Sequence, residues 1–270
     1  MPTLYVVATP IGNLEDVTLR ALRVLKEVAL IAAEDTRTTR KLLTRHGIRT
    51  PVTSYNEHNH RAKTPHILDV LKDADVALVS EAGTPTVRDP GTQLVRAALL
   101  EGFAVMPVPG ASAVMAALAA SGLPADQFLF LGFLPARPGQ RRRLLAEIRD
   151  EKRTLVAFEV PHRLTGSLED ILSTLGDRKL AIGRELTKLH EEWFRGGVSR
   201  ALERFVQPRG EFTLVIEGSK EGLVGSEGEA LRMLRELQAS GTKAREAVAK
   251  VAAMLGLPRR TVYRLWLSLG

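Results

Sequence analysis

One apolar run of this sequence, "ALIAAEDTR", ends in two acids and a base: Glu34, Asp35 and Arg37. Such groups at a strand end are costly unless they are solvated, paired with one another, or working in a site. A structural ion pair with Arg37 is the plain reading; the chemical one makes a carboxylate the proton acceptor and the guanidinium an anion holder. Three further stretches share this position after an apolar run. "TPIGNLED" begins at Thr9 and holds one glycine and two acids, without the glycine triplet that cradles a dinucleotide pyrophosphate. "SEAGTP" runs Ser80, Glu81, Ala82, Gly83, Thr84, Pro85. Its small residues permit a close backbone approach to a ligand, or simply form a type I or II turn with Pro85. "PGASA" contains Pro109, Gly110, Ser112 and Ala113 and opens a helix. Ser112 suits the cap there, and free N–H groups can receive a carboxylate.

The elements that must position these loops alternate. "LYVVAT", "ALIAAEDT", "DVALVSEAGTP" and "FAVMPVPG" read as strands, with "TLRALRVLKEV", "TRKLLTRHG", "TPHILDVLKDA" and "GTQLVRAALLEG" as helices between them. The pattern implies a parallel sheet covered on both faces, which binds ligands beyond the carboxyl ends of its strands. All four loops therefore converge on one rim. Asp16 is the expected cap of the helix starting near Thr18. From about Gly122 the strands "DQFLFLGFLP", "RTLVAFEV", "KLAIGREL" and "GEFTLVIEG" predict a second α/β domain with a mixed sheet. After the Gly- and Ser-marked linker "EGSKEGLVGSEGE", two helices end the chain. The divisions predicted are 1–110, 111–222 and 223–270.

Bulk properties narrow the function. The 270 residues are 44% hydrophobic and 26% charged, an ordinary globular balance, and the net charge of +7 favours polyanionic partners. No apolar run spans a bilayer, the start lacks signal-peptide features, and cysteine is absent. These observations lead to expectations of a cytoplasmic location and no membrane association. The six histidines show no ligand spacing, so no metal is expected.

"TPIGNLEDVTLRAL", "AEDTR", "SEAGTP", "PGASA", "GFLP", "PHRL" and "RELTK", in that order, resemble the ribosomal RNA small-subunit methyltransferase I family, a branch of the tetrapyrrole methylase superfamily. The similarity runs from Leu4 to about Gly218. It implies two α/β domains of the tetrapyrrole methylase type and a homodimer. The implied activity uses S-adenosylmethionine to methylate the 2′-hydroxyl of a cytidine in the decoding region of small-subunit ribosomal RNA. Two departures stand out. Glu81 replaces the usual aspartate and keeps its carboxylate, whereas Val160 replaces the serine before Pro-His-Arg, so no role for that hydroxyl carries over.

On this resemblance Pro10, Gly12, the whole of "SEAGTP", Pro109, Gly110, Ser112, Ala113 and Phe133 are expected around the cofactor. Glu34, Asp35, Arg37 and Lys188 are the catalytic candidates, Lys188 for an alkoxide or phosphate. Asn13, Glu159, His162, Arg163 and Arg184 are expected to face the substrate. From the residues alone, His58 and Asn59 have the donors and acceptors to read an unstacked base, while a solvated loop is equally consistent. Arg141 and Arg142, in the basic start of a helix, would neutralise phosphates unless they form a solvated face. Aromatics spaced like Phe133 are more often core, and Arg184 has a structural pairing with Glu185 as its alternative.

In the tail, Ala252, Gly256 and Val262 match a helix-turn-helix, with Arg259, Arg260 and Arg264 projecting toward nucleic acid. A small helical cap is the alternative. Two rival functions differ in class: a methylase of a tetrapyrrole precursor, which the basic tail disfavours, and a non-catalytic RNA-binding module, which needs no tailored rim.

Overall fold

The computed structural model describes residues 2–86, 91–219, 227–255 and 257–269. Strands β1 (Thr3–Val7), β2 (Leu30–Ala33), β3 (Val52–Ser54), β4 (Val76–Val79) and β5 (Ala104–Val108) form a fully parallel sheet ordered β3-β2-β4-β1-β5. Every residue of β2 and β4 is buried, which is why they read as unbroken apolar runs. Helices α1 (Leu19–Glu27) and α2 (Thr36–Arg45) cover one face through Ala21, Val24, Leu25, Leu42 and Leu43. On the other face α3 (His60–Asp73) and α4 (Gly91–Leu100) pack Ile67, Leu71, Leu94 and Ala98.

Three details differ from the sequence reading. β3 escapes notice because it is a three-residue edge strand with no fully buried position. α3 starts at His60, one turn before Thr64, and carries Pro65 inside it. Asp16 lies in a 3-10 turn, Leu14–Asp16, while Thr18 caps α1 by accepting the Ala21 N–H.

The second sheet comprises β6 (Phe128–Phe133), β7 (Thr154–Glu159), β8 (Lys179–Arg184), β9 (Glu192–Gly197) and β10 (Phe212–Ile216), ordered β6-β7-β10-β8-β9. Only β6 and β7 run parallel, so the sheet is mixed. β9 was not legible because its Arg195 and paired glycines break the apolar alternation. Helices α6 (Pro138–Glu147), α7 (Pro161–Leu175) and α8 (Val198–Arg204) cover one face. The other face receives α5 (Ala113–Ser121), the helix that leaves β5 of the first sheet, through Val114, Ala117 and Leu118. Ile11 of the first rim loop packs against the same cluster, so one apolar patch joins the sheets.

Among the described residues the tail holds three helices rather than two: α9 (Glu227–Ala239), α10 (Ala244–Leu255) and α11 (Arg259–Leu267). α9 begins where the linker was expected to finish; Gly256 and most of that linker, residues 220–226, lie outside the described residues. Ala230, Leu234, Ala247, Val251, Val262 and Leu265 give this segment a core of its own. Among the described residues no helix is long and apolar enough to cross a membrane, and no His, Cys, Asp and Glu cluster could hold a metal.

Candidate active site

Because the strands of the first sheet are parallel, the loops leaving β1, β2, β4 and β5 meet at one edge, and hydrogen bonds tie them together. Thr9 and Gly83 exchange backbone bonds of 2.9 and 3.1 Å in an isolated antiparallel bridge. Gly83 has φ +79, a conformation that favours glycine. The Thr84 hydroxyl reaches the Ala111 carbonyl at 3.5 Å, and the Ser80 hydroxyl donates to the carbonyls of Ala82 and Gly83. A Cβ on Gly110 would lie 3.0 Å from the Ala8 Cβ, so glycine lets the β1 and β5 loops close up. Ser112 caps α5, accepting from the Met115 N–H. The result is a rim of backbone groups and very small side chains, with Pro10 and Pro85 buried and Gly12, Glu81, Ala82, Pro109 and Gly110 exposed.

The two acids divide their work. Glu34 accepts the Glu81 N–H at 3.0 Å and so joins the β2 and β4 loops. Asp35 caps α2, accepting from the Arg37 and Thr38 N–H groups, and its other oxygen takes the Arg37 guanidinium at 3.1 Å. The guanidinium, then these backbone bonds, hold the Asp35 carboxyl below the usual range, which makes it a weak proton acceptor. The structural pairing expected of Asp35 and Arg37 is present.

The facing wall comes from the "RELTK" corner after β8. The Asn13 N–H donates to Thr187 Oγ1 at 3.1 Å, and a Cβ on Gly12 would meet Lys188 Cγ at 2.5 Å. Glu185 and Thr187 have φ of 50° and 65°, and Thr86, beyond "SEAGTP", has 75°. Positive φ is strained for any side chain and most of all for a β-branched one, and such residues collect at functional sites. Nothing in the sequence marks Thr86 or Thr187, since threonine opposes the conformation it takes.

Lys188 Nζ lies 2.7 Å from Glu211 and 3.2 Å from Glu185. Burial pushes its pKa down, but the hydrogen bonds to Glu211 and Glu185 outweigh that and hold it above the usual lysine value. It is an ammonium, not a neutral base. Burial likewise raises Glu185, while the Glu211 N–H and Lys188 bring it below the usual carboxylate range. Arg184 pairs with Glu192 at 2.8 Å rather than with Glu185, and donates to the Arg209 carbonyl.

Phe133 is not core. A register shift between Phe130 and Gly132 puts Phe130 and Phe133 on the same side of β6, both edge-on to Phe158 at 5.1 and 5.5 Å. Phe158 packs on the cluster around α5, and Phe133 remains 42% exposed.

Several expected substrate contacts are corrected. Glu159 is 1% exposed, accepts from the Val160 N–H and the Ser167 hydroxyl, and pairs with Arg163 at 2.7 Å. Arg163 also donates to the Leu134 carbonyl, so the pair braces the bend after β6 instead of facing solvent. Arg141 is 4% exposed and locked to Asp170 at 2.6 Å, so it reaches no phosphate; Arg142, on the surface, shares Asp170 at 3.3 Å. Asn59 spends its amide on Ser54 and the Asn56 N–H within its own loop. His58 and His162 are exposed.

Residues 3–202 match the Tetrapyrrole (Corrin/Porphyrin) Methylases family, and residues 224–270 match the RsmI C-terminal HTH domain. The chain is 46% identical to the ribosomal RNA small subunit methyltransferase I of Halalkalibacterium halodurans, over 98% of this chain and 94% of that one. It is 42% identical to the protein of that name from Bacillus subtilis, over 97% and 93%. In fold it is similar to uroporphyrin-III-C-methyltransferase from Thermus thermophilus, with TM-score 0.57 and 22% identity over 80% of this chain and 94% of that chain. The methyltransferase CobJ gives TM-score 0.62 at 18% identity, over 83% and 98%.

Proposed function

The chain belongs to the ribosomal RNA small subunit methyltransferase I family of tetrapyrrole methylases, and from that premise we propose that it methylates the 2′-hydroxyl of a cytidine in the decoding region of small-subunit ribosomal RNA. The methyl donor of this family is S-adenosylmethionine, whose sulfonium supplies an electrophilic methyl group. The rim suits that ligand. Ala82, Gly83, Gly110 and Ala111 keep bulk out of it, the cap of α5 leaves N–H groups for a carboxylate, and Phe133 offers an exposed ring.

The observation that carries the reading is the meeting of the two walls: the Lys188 corner rests on Gly12 and Asn13 at the mouth of the loop cluster. Bound at the rim, the sulfonium would supply a methyl group to the ribose oxygen, whose proton would pass to solvent water as the new bond forms. Lys188, held as an ammonium, favours the developing alkoxide, lowering the demand on any base. Glu34, half-buried at the rim, is assigned to orienting the hydroxyl, because Asp35 is a weak acceptor. Arg37, exposed, is assigned to the neighbouring phosphate. Most of the acceleration then comes from alignment, which a rim of interlocked loops provides.

A cytoplasmic homodimer acting on ribosomal RNA, free or in the assembled subunit, completes the proposal. Purified chain would be incubated with labelled S-adenosylmethionine and, separately, small ribosomal subunits, naked RNA and a tetrapyrrole precursor. Label in subunits or RNA at a ribose 2′-oxygen is expected. Label in the tetrapyrrole alone would overturn the reading.

A further inference from the structure

We infer that α11 carries a stacking surface for unpaired RNA bases, centred on Tyr263 and flanked by Arg259, Arg260 and Arg264. The inference rests on the RNA substrate proposed above and assigns the tail its share of that recognition.

At about 100° per residue, Arg259, Arg260, Tyr263, Arg264 and Leu267 fall within an arc of roughly 140° on the helix. All five are exposed, and Tyr263 and Leu267 keep 51% and 61% of their surface open. Val262 and Leu265, on the opposite side, are buried in the three-helix core. The core therefore fixes which side of α11 faces outward, and that side is a tyrosine among arginines. Such an open ring costs apolar exposure that folding does not require, because Val262 and Leu265 already anchor the helix.

Charge selects the partner. Residues 227–269 hold eight Lys and Arg against four Glu, so the tail supplies a large part of the chain's excess positive charge. On this face Glu227 lies 2.7 Å from Arg264, and that pair is exposed at 54% and 72% respectively. An ion pair so open is weak and yields readily to a phosphate. An aromatic ring between cations is the arrangement that stacks a base while neutralising its backbone. Duplex RNA is a poor fit, since its major groove is too deep and narrow for side chains to read.

The test uses full-length wild type, Y263A, Y263F and R260A, with labelled single-stranded RNA of about 12 nucleotides, duplex RNA and duplex DNA. Binding is read by anisotropy at two salt concentrations, and methyl incorporation into small subunits is measured beside it. Y263A should weaken single-strand binding about tenfold and Y263F by less than about twofold. R260A should reduce the salt slope by about one. Wild-type affinity in Y263A, or wild-type preference for duplex DNA over single strands, would overturn the inference. Unlabelled subunits combined with a Tyr263-dependent RNA affinity would instead remove the methylation reading and leave this surface standing.

Discussion

Replacing Gly12 by alanine tests the meeting of the two walls most directly. The new methyl carbon would stand 2.5 Å from Lys188 Cγ, with the Leu186 carbonyl and Thr187 Oγ1 both at 3.0 Å. Carbon atoms pack at about 3.5–4.0 Å, so the corner must retreat by about 1 Å or Lys188 must leave its rotamer. Gly12 is not among the glycines with positive φ, so the whole effect comes from this crowding and none from backbone strain. Overpacking of this kind costs about 1–3 kcal/mol of stability. Its effect on rate is larger: a misplacement of about 1 Å between reacting groups lowers turnover by as much as about 100-fold. Single-turnover methylation of small subunits, measured beside the melting temperature, reads both quantities. G139A is the control, since a Cβ there meets nothing within 4 Å. Unchanged turnover in folded G12A would refute the idea that this contact positions Lys188.

Three other substitutions separate structural roles from chemical ones. R141A leaves Asp170, whose side chain is only 10% exposed, without its buried partner; a loss of about 3–5 kcal/mol in urea unfolding is expected, with an unaltered salt slope of RNA binding. K188M should lower turnover by about 100-fold or more while the protein stays folded. Because the Lys188 pKa is raised, its ammonium persists below the ordinary lysine value and is lost only as pH climbs through the higher folded one; wild-type kcat should show no falling limb from this group between about pH 7 and 10. V160S should stabilise the chain by about 1 kcal/mol in thermal unfolding, since Val160 occupies the N-cap of α7 without a side-chain cap bond.

What the sequence made legible follows from what its patterns encode. Apolar runs bounded by turn residues located nine of the strands and helices around the rim without a misplacement of type, because β2, β4 and their covering helices are buried on the faces that the periodicity names. β3 and β9 lie at sheet edges, where burial no longer dictates residue type, and both passed unread. Among candidate site residues, the small ones of the rim sit where their spacing implied, since a close loop crossing admits little else. The charged ones fared differently. A sequence shows that Arg141 and Glu159 are charged but not that Asp170 encloses the one and Arg163 and Ser167 the other. Partners four to twenty-nine residues away decide whether a charge serves the core or the cleft.

The same limit hid how the corner that carries Lys188 is held, and its construction shows why an isolated lysine there would not suffice. Glu185 turns into the left-handed region at φ 50°, and Thr187 does so again two residues later. Each such turn costs about 1–2 kcal/mol, so the corner would relax if nothing opposed it. Opposing it are the Glu211 N–H donating to the Glu185 carboxylate at 2.8 Å, the Lys188 ammonium between Glu185 and Glu211, and the Glu191 carboxylate accepting the Thr187 N–H at 2.8 Å. Gly210 completes the enclosure, since a Cβ on it would meet Glu185 Cγ at 2.6 Å. Glu185 thus serves both ends: its carboxylate braces the strained backbone through the Glu211 N–H and, with Glu211, holds Lys188 charged, while Glu191 braces Thr187. Positioning and protonation state are set by one cluster, so loosening the corner would lower the lysine's pKa and misplace it together, whereas the strained form presents a fixed cation to the rim before any ligand arrives.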